Sequence, residues 1–259
     1  MLNSLLIDVL SLPSYSGMEE MVRNFVVSYC KKRGYKVEVD KHGNVFVTKG
    51  YSRFYPCIAA HMDTVHESHI ELIKANRKKE LRQVQNDLYA VHPVTGKRIG
   101  LGGDNLCGVY ICLELLGKVR CGKAAFFVEE EIDRYDFWGQ KIKSSGAERA
   151  DFSFFDDVSY CLEFDGPTNN WFNPWCNQEF LSKVEPVLKN YRVTNHRTED
   201  RTDVFYIARE CRISTCNLPV GYFKFHTESD YVDVSSINRN LQLGMACINA
   251  LGDKRYFLT

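Results

Sequence analysis

Along this chain of 259 residues the apolar positions change from helical spacing to strict alternation and back, and each change marks a predicted element. Residues 3–11 carry a short helical stripe that stops ahead of Pro13. Ser16 opens a second helix. Ser16 and Glu19 have capping-box spacing, Met18, Met21, Val22, Phe25, Val26 and Tyr29 form one apolar face, and Gly34 closes the segment. Tyr35, Val37 and Val39 alternate with polar residues, and a Lys-His-Gly-Asn turn leads into Val45 and Val47, which predicts a hairpin. The run Phe54–Ala60 predicts a short buried strand that ends at His61. Residues 70–100 are mixed and polar, with strands expected around Leu88–Val91 and the Val94–Gly96 turn. A helix is predicted from Asp104 to Leu116, then strands over Ala124–Val128 and Ser159–Phe164. Beyond these come a helix over 178–190 with a kink or break at Pro186, and one over 203–210 with Thr202 or Asp203 as its cap. A last strand over 213–225 leads to His226, and a helix over Ser235–Leu251 closes the chain.

Strands alternating with helices predict an α/β fold. No repeat or low-complexity linker interrupts the pattern, so residues 1–259 are read as one domain. Four predicted strands deliver a His, Asp or Glu at or just past their carboxyl ends. In open α/β sheets ligands bind outside those ends, so the polar residues would pool in one crevice.

Composition narrows the classes. An apolar share of 44% with 25% charged residues is that of a folded globular chain rather than a disordered one. The formal net charge of zero gives no support for a nucleic-acid partner or an anionic membrane surface. No segment reaches the apolar length of a membrane span. The start, MLNSLLIDVLSLPS, has no basic residue, Asp8 interrupts its apolar run, and it is not read as a signal peptide, so a cytoplasmic location is expected. Ten scattered cysteines form no CxxC pair, and Cys57, Cys112 and Cys161 sit inside apolar runs; they are read as core filling rather than as a disulfide framework.

Five short pieces carry chemistry: His61-Met62-Asp63-Thr64, Gly103-Asp104-Asn105, Glu129-Glu130-Glu131, Phe164-Asp165-Gly166 and Phe225-His226-Thr227. Each has a bland alternative. His61 alone is a polar strand end, Asp104 a helix cap, the glutamates a solvated run, Asp165-Gly166 a turn and His226 a loop histidine. Together they supply two imidazoles and several carboxylates, the donor types that zinc accepts. Two metal ions close together can share a carboxylate and a water, one activating the nucleophile while both stabilise the oxyanion.

With these pieces in order, the chain resembles the co-catalytic dinuclear zinc exopeptidases, the superfamily of peptidase T, glutamyl aminopeptidase and related aminopeptidases and deacylases. The resemblance spans nearly the whole chain. It includes the opening Ser16-Gly17-Met18-Glu19, Asp40 followed by Gly43-Asn44-Val45, the HMDTV segment at His61, Gly102-Gly103-Asp104-Asn105 with Gly108, Glu130-Glu131-Ile132, Thr202-Asp203, Leu218-Pro219 and His226-Thr227. It implies a three-layer sandwich with a mixed, mainly parallel central sheet. It implies two divalent metal ions, zinc by default with cobalt or manganese as N/O-site alternatives. By the resemblance, Asp104 bridges the ions, His61 and Asp165 complete one site, and Glu131 and His226 complete the other. Asp63 would orient His61 through its second ring nitrogen, Glu130 would be the general base, and the Asp104–Asn105 peptide would be cis. The role of Thr202-Asp203 stays open between the site and helix capping.

The pattern departs from the family in three places. The glutamate triplet leaves the frame open, with Glu129 as base and Glu130 as ligand the alternative. Asp133 stands where the family commonly has glycine, and Gly139 is the next small residue, so a loop insertion is expected there. The intervals between the motifs leave no room for an inserted lid domain, which removes the usual source of an oxyanion donor. His66, His69, His92 and His196 are weak substitutes, each expected at the surface. The functional expectation is an aminopeptidase or dipeptidase acting on short peptides. A deacylase or carboxypeptidase-type amidase on N-acyl amino acids is the alternative, and a catalytically dead binding module a more distant one. A homo-oligomer stays open.

Overall fold

A computed structural model describes residues 2–132, 134–135, 141–142, 145–196 and 201–258. Helices α1 (Ser4–Leu10) and α2 (Glu20–Lys32) lead into the hairpin β1 (Lys36–Val39) and β2 (Val45–Lys49), followed by β3 (Tyr55–His61). Next come α3 (Ser68–Lys74), β4 (Glu80–Val84), β5 (Asp87–Val91), β6 (Arg98–Ile99) and the long α4 (Gly103–Lys118). Strand β7 (Gly122–Phe127), the short pair β8 (Arg134–Tyr135) and β9 (Lys141–Ile142), and β10 (Val158–Gly166) follow. The chain then runs through β11 (Trp171–Trp175), α5 (Gln178–Asn190), β12 (Asn195–His196), α6 (Asp203–Cys211), β13 (Thr215–Pro219), β14 (Tyr222–Phe223), β15 (Tyr231–Asp233) and α7 (Val234–Leu251).

Eight strands form the central sheet in the order β1-β2-β7-β3-β10-β13-β11-β12, and the inner four, β7, β3, β10 and β13, run parallel. Their burial on both faces is why β3 reads as one unbroken apolar run rather than as an alternation. Successive residues still choose different layers. Val45, Val47, Ile58, Ala60, Ala124, Phe126, Leu162 and Phe164 face the layer of α1, α2, α4, α5 and α7. Phe46, Cys57, Ala59, Ala125, Phe127 and Cys161 face Val204 and Ile207 of α6 together with Ala147 and Phe155. The result is the mixed three-layer α/β sandwich that the motifs implied. All ten cysteines carry free thiols, and Cys57 and Cys161 are register partners on β3 and β10.

Some elements differ from the sequence reading. The helix α3 was not anticipated, because only Leu72 and His69 of its seven residues are buried and its apolar stripe is short. Helix α5 continues through Pro186 instead of breaking there. The single strand expected over 213–225 is two strands in different sheets: β13 joins the central sheet, while β14 pairs with β15 in a smaller sheet with β5, β4 and β6. Gly221, at φ +116°, makes the turn between them. No capping box forms at α2, which begins at Glu20; Ser16 and Glu19 bond elsewhere, as described below. Asp133 and Gly139 lie outside the described residues. Among the described residues no helix is long and apolar enough to cross a membrane.

One close approach sets the geometry of the coming site. A Cβ on Gly108 would stand 2.1 Å from the Phe164 carbonyl oxygen and 2.2 Å from Asn105 Oδ1. Only glycine lets α4 lie this near β10, which brings the beginning of the helix and the end of the strand together.

Candidate metal centre

The parallel strands end on one side, and their last residues meet there. His61 is the last residue of β3, Asp165 lies near the end of β10, and Glu130 and Glu131 follow β7. Asp104 comes from the first turn of α4, where Asp104 and Asn105 have non-helical backbone angles and the peptide between them is cis. His226 arrives differently from the sequence reading: it lies in the connection from β14 to β15, with φ +60°, rather than at the end of a central strand.

The five expected ligands form two adjoining sets. His61 Nε2 stands 3.2 Å from Asp104 Oδ1 and 3.2 Å from Asp165 Oδ1. His226 Nε2 stands 3.3 Å from Asp104 Oδ2 and 2.9 Å from Glu131 Oε1. Asp104 therefore offers one carboxylate oxygen to each set. Zinc–ligand bonds of about 2.0–2.1 Å at tetrahedral angles put two donors about 3.3 Å apart, so these spacings fit a metal ion in either set. A third grouping, His61 with Glu130 and Glu131, lies within the same crevice, its candidate donor atoms all within 4.8 Å of one another.

Electrostatics point the same way. Among the described residues, Asp63, Asp104, Glu130, Glu131 and Asp165 crowd against two imidazoles. Buried charge of one sign requires pairing or a metal. Burial pushes Glu130 up to about 8, helped by the like charges of Glu131, Asp63 and Asp104. Burial and Asp104 raise Asp165 well above the usual carboxylate range. Burial opposes an imidazolium at His61, but Asp165, Asp104 and Asp63 outweigh it and hold the ring well above its ordinary value. Hydrogen bonds to Asp104 and Glu131 push His226 up to about 10. Positive charge placed between these groups reverses each direction, since a cation favours carboxylate and opposes imidazolium.

Asp63 is a hub behind the candidate ligands. It is fully buried. Its Oδ1 lies 3.2 Å from His61 Nδ1 and accepts the Glu130 N–H at 3.0 Å. Its Oδ2 accepts the Ser16 hydroxyl at 2.6 Å and the Glu131 N–H at 3.0 Å. One carboxylate thus supports both His61 and the glutamate segment, the usual task of groups behind a metal ligand. Glu19 Oε1 extends the support, accepting the N–H groups of Gly17 and Glu129. This explains the missing capping box: Ser16 and Glu19 hold the crevice wall instead of the helix end.

The structure separates the three glutamates. Glu131 reaches His226, Glu130 faces His61, and Glu129 turns away to an ion pair with Arg149. Thr202 occupies the cap position of α6 without capping it; its hydroxyl donates to Glu163 Oε2 at 2.5 Å. Asp203 is buried beside Glu163, and burial together with Glu163 raises its carboxyl well above the ordinary range.

The substitute histidines are not gathered at the ligands. Contrary to the surface expectation, His66, His69 and His92 are buried. His69 bonds the carbonyls of Ser14 and Gly100, at 2.8 and 2.7 Å, and His66 Nε2 lies 3.2 Å from Asp230 Oδ2. His196 is exposed, edge-on to Phe172. Several supporting groups were not anticipated. Tyr222 donates its hydroxyl to the Asp165 carbonyl at 2.6 Å, Asn217 Oδ1 accepts the Asp165 N–H at 3.0 Å, and Ser16 holds Asp63 as described. Only Ser16 lay inside a motif; the others sit far along the chain from the residues they hold.

No family model and no curated protein sequence matches the chain. Solved structures do. A tripeptidase from Staphylococcus aureus superposes with a TM-score of 0.70 at 13% identity, covering 96% of this chain and 97% of that one. The aminopeptidase PepT from Bacillus cereus gives a TM-score of 0.69 at 12% identity, covering 95% and 96%. The Pyrococcus horikoshii TET1 peptidase, which can assemble into a tetrahedron or a large octahedral shell, gives 0.66 at 14% identity, covering 94% and 98%. The likeness runs almost end to end in both directions, and the chain has the fold of these aminopeptidases, the one its motifs implied.

Proposed function

We propose that the chain is a metal-dependent hydrolase that cleaves an amide bond of short peptides, as an aminopeptidase or dipeptidase. The observation that carries the reading is the division of the Asp104 carboxylate between His61 with Asp165 on one side and His226 with Glu131 on the other. The aminopeptidase fold supports peptide hydrolysis at a coarser level.

In this reading Asp104 would be shared by two divalent ions, with His61 and Asp165 completing one coordination set and Glu131 and His226 the other. Zinc is the first candidate for these nitrogen and oxygen donors, with cobalt or manganese as alternatives. Two such ions would acidify a shared water and polarise the scissile carbonyl. Glu130 takes the proton of the attacking water and returns it to the leaving amine, the work of a general base and then acid. Its place beside His61 suits a group that must move a proton within the crevice. Asp63 keeps the His61 ring turned so that Nε2 points into the crevice, and it fixes the backbone from which Glu130 and Glu131 project.

Elemental analysis of the wild type and of Asp104→Ala is the direct test. About two metal equivalents in the wild type, lost in the variant, is the expected outcome for a shared carboxylate. Absence of bound metal after incubation with excess zinc would overturn the reading and favour a binding module. A panel of free dipeptides and tripeptides against N-acetyl amino acids then decides the substrate: cleavage of only the acylated compounds would replace the aminopeptidase reading with a deacylase.

A further inference from the structure

Beside the crevice a second buried carboxylate gathers several segments of chain. Asp230 is 1% exposed. Its Oδ1 accepts the Leu101 N–H at 2.5 Å, and its Oδ2 accepts the N–H of Gly102 at 2.8 Å and of Gly103 at 3.4 Å. Three successive N–H groups of one loop thus converge on one side chain, an arrangement that suits an anion. The same Oδ2 lies 3.2 Å from His66 Nε2. Glu228, two residues earlier, accepts the Gly100 N–H at 2.6 Å. Lys79 donates its ammonium to the Leu101 carbonyl, so Leu101 is held at both its N–H and its carbonyl.

The loop held this way ends in Asp104. Gly102, at φ +73°, occupies the cap position of α4 and leaves the backbone no side chain with which to position itself. A Cβ on Gly102 would stand 2.7 Å from Thr64 Cγ2, and one on Gly103 would stand 2.6 Å from Val232 Cγ1. The loop is therefore wedged between the segment that follows His61 and the β14–β15 hairpin that carries His226. His66 belongs to the first of these segments, and Asp230 to the second.

We propose that Asp230, with Glu228 beside it, is a positioning residue for the metal centre: it sets the height and rotation of the Asp104 carboxylate relative to His61 and His226. The proposal rests on the two-metal reading given above. Asp230 reaches no ligand side chain; it acts through backbone. It links three ligand-bearing segments, those of His61, Asp104 and His226, while Asp63 links His61 to the glutamates. Between them the two buried carboxylates tie together four of the five segments that converge on the crevice.

Zinc titration against a chromophoric chelator tests the proposal in the wild type, Asp230→Asn, Glu228→Ala and Lys123→Met. In Asp230→Asn an amide N–H must oppose an N–H of the loop, or the His66 ring, whichever way the side chain turns. Groups behind metal ligands typically shift affinity 10–100-fold, and a loss in that range is expected for Asp230→Asn, affecting both ions because Asp104 is shared. Glu228→Ala should give a smaller loss in the same direction and, being half-exposed, should fold; it decides the matter if Asp230→Asn does not fold. Lys123 bonds the Phe154 carbonyl and Asp157 at the opposite end of the sheet, so Lys123→Met should lower the melting temperature and leave zinc affinity unchanged. Wild type binding two zinc ions with folded Asp230→Asn binding them equally tightly, or, where that variant is unfolded, Glu228→Ala doing so, overturns the positioning role and leaves the metal centre standing. Wild type that binds no zinc overturns the metal centre itself.

Discussion

Replacing Asp63 by asparagine changes one oxygen to an NH2 and keeps the shape, yet every contact of this side chain is to a donor or to an imidazole nitrogen. If the NH2 takes the Oδ2 position, Ser16 can turn its hydroxyl to accept, but the Glu131 N–H then faces another donor. If it takes the Oδ1 position, the Glu130 N–H is left unpaired, and His61 Nδ1 must become an acceptor. That second choice moves the imidazole proton to Nε2, the atom that faces Asp104 and Asp165, and removes the lone pair a metal needs there. Either orientation leaves one buried N–H without a partner, which costs about 1–3 kcal/mol. At this chain length that is a fall of about 2–4 °C in melting temperature for each kcal/mol. Zinc affinity should fall by about 10–100-fold, the usual effect of removing the group behind a histidine ligand. Thermal melting of the metal-free protein reads the first quantity, and competitive zinc titration at a temperature where both proteins are folded reads the second. A folded Asp63→Asn that binds zinc as tightly as the wild type would refute the orienting role, even if its melting temperature falls. The more severe Asp63→Ala leaves the Ser16, Glu130 and Glu131 donors all unpaired and should destabilise by several such increments.

Other consequences can be checked separately. Glu130→Gln should keep both metal equivalents and lose peptide hydrolysis by about 10²–10⁴-fold, the range of a general base, measured as kcat on a cleaved dipeptide. Glu129→Gln, which removes one charge of the Arg149 ion pair, should leave kcat far less changed; the reverse pattern would move the frame of the triplet by one residue. Gly108→Ala forces a Cβ against the Phe164 carbonyl and Asn105, so it should cost about 1–3 kcal/mol or more in thermal or urea unfolding and loosen zinc through Asp104 and Asp165. Chelation of the metals should lower the melting temperature reversibly, because a ligand at 100 times its Kd adds about 2.7 kcal/mol to the folded state; an unchanged midpoint after complete removal would contradict linkage between the metals and the fold.

The amino-acid sequence by itself determined the succession of strands and helices and most of the polar residues of the crevice. Continuous apolar runs such as Phe54–Ala60 identify strands buried on both faces, and the residues that end them, His61 and Asp165 among them, stand out because a polar group breaks the run where the sheet stops. Local rules carry this information, since period and termination are properties of neighbouring residues. The tertiary structure decided what those rules do not contain. Ser16 and Glu19 have the spacing of a capping box, but Asp63 and Glu129 offer stronger use for them 47 and 110 residues away. The three glutamates are alike in sequence, and only the positions of Arg149, His61 and His226 tell them apart. His66 and His69 look like surface residues until the loop at Gly100 and the carboxylate of Asp230 close over them. His226 reaches the crevice from a hairpin of the smaller sheet rather than from a central strand, because Gly221 turns the chain out of the first sheet into the second. Each of these outcomes depends on a partner distant in the chain, and the energy that selects it, a buried charge or donor finding its match, exists only once the fold has brought the two together.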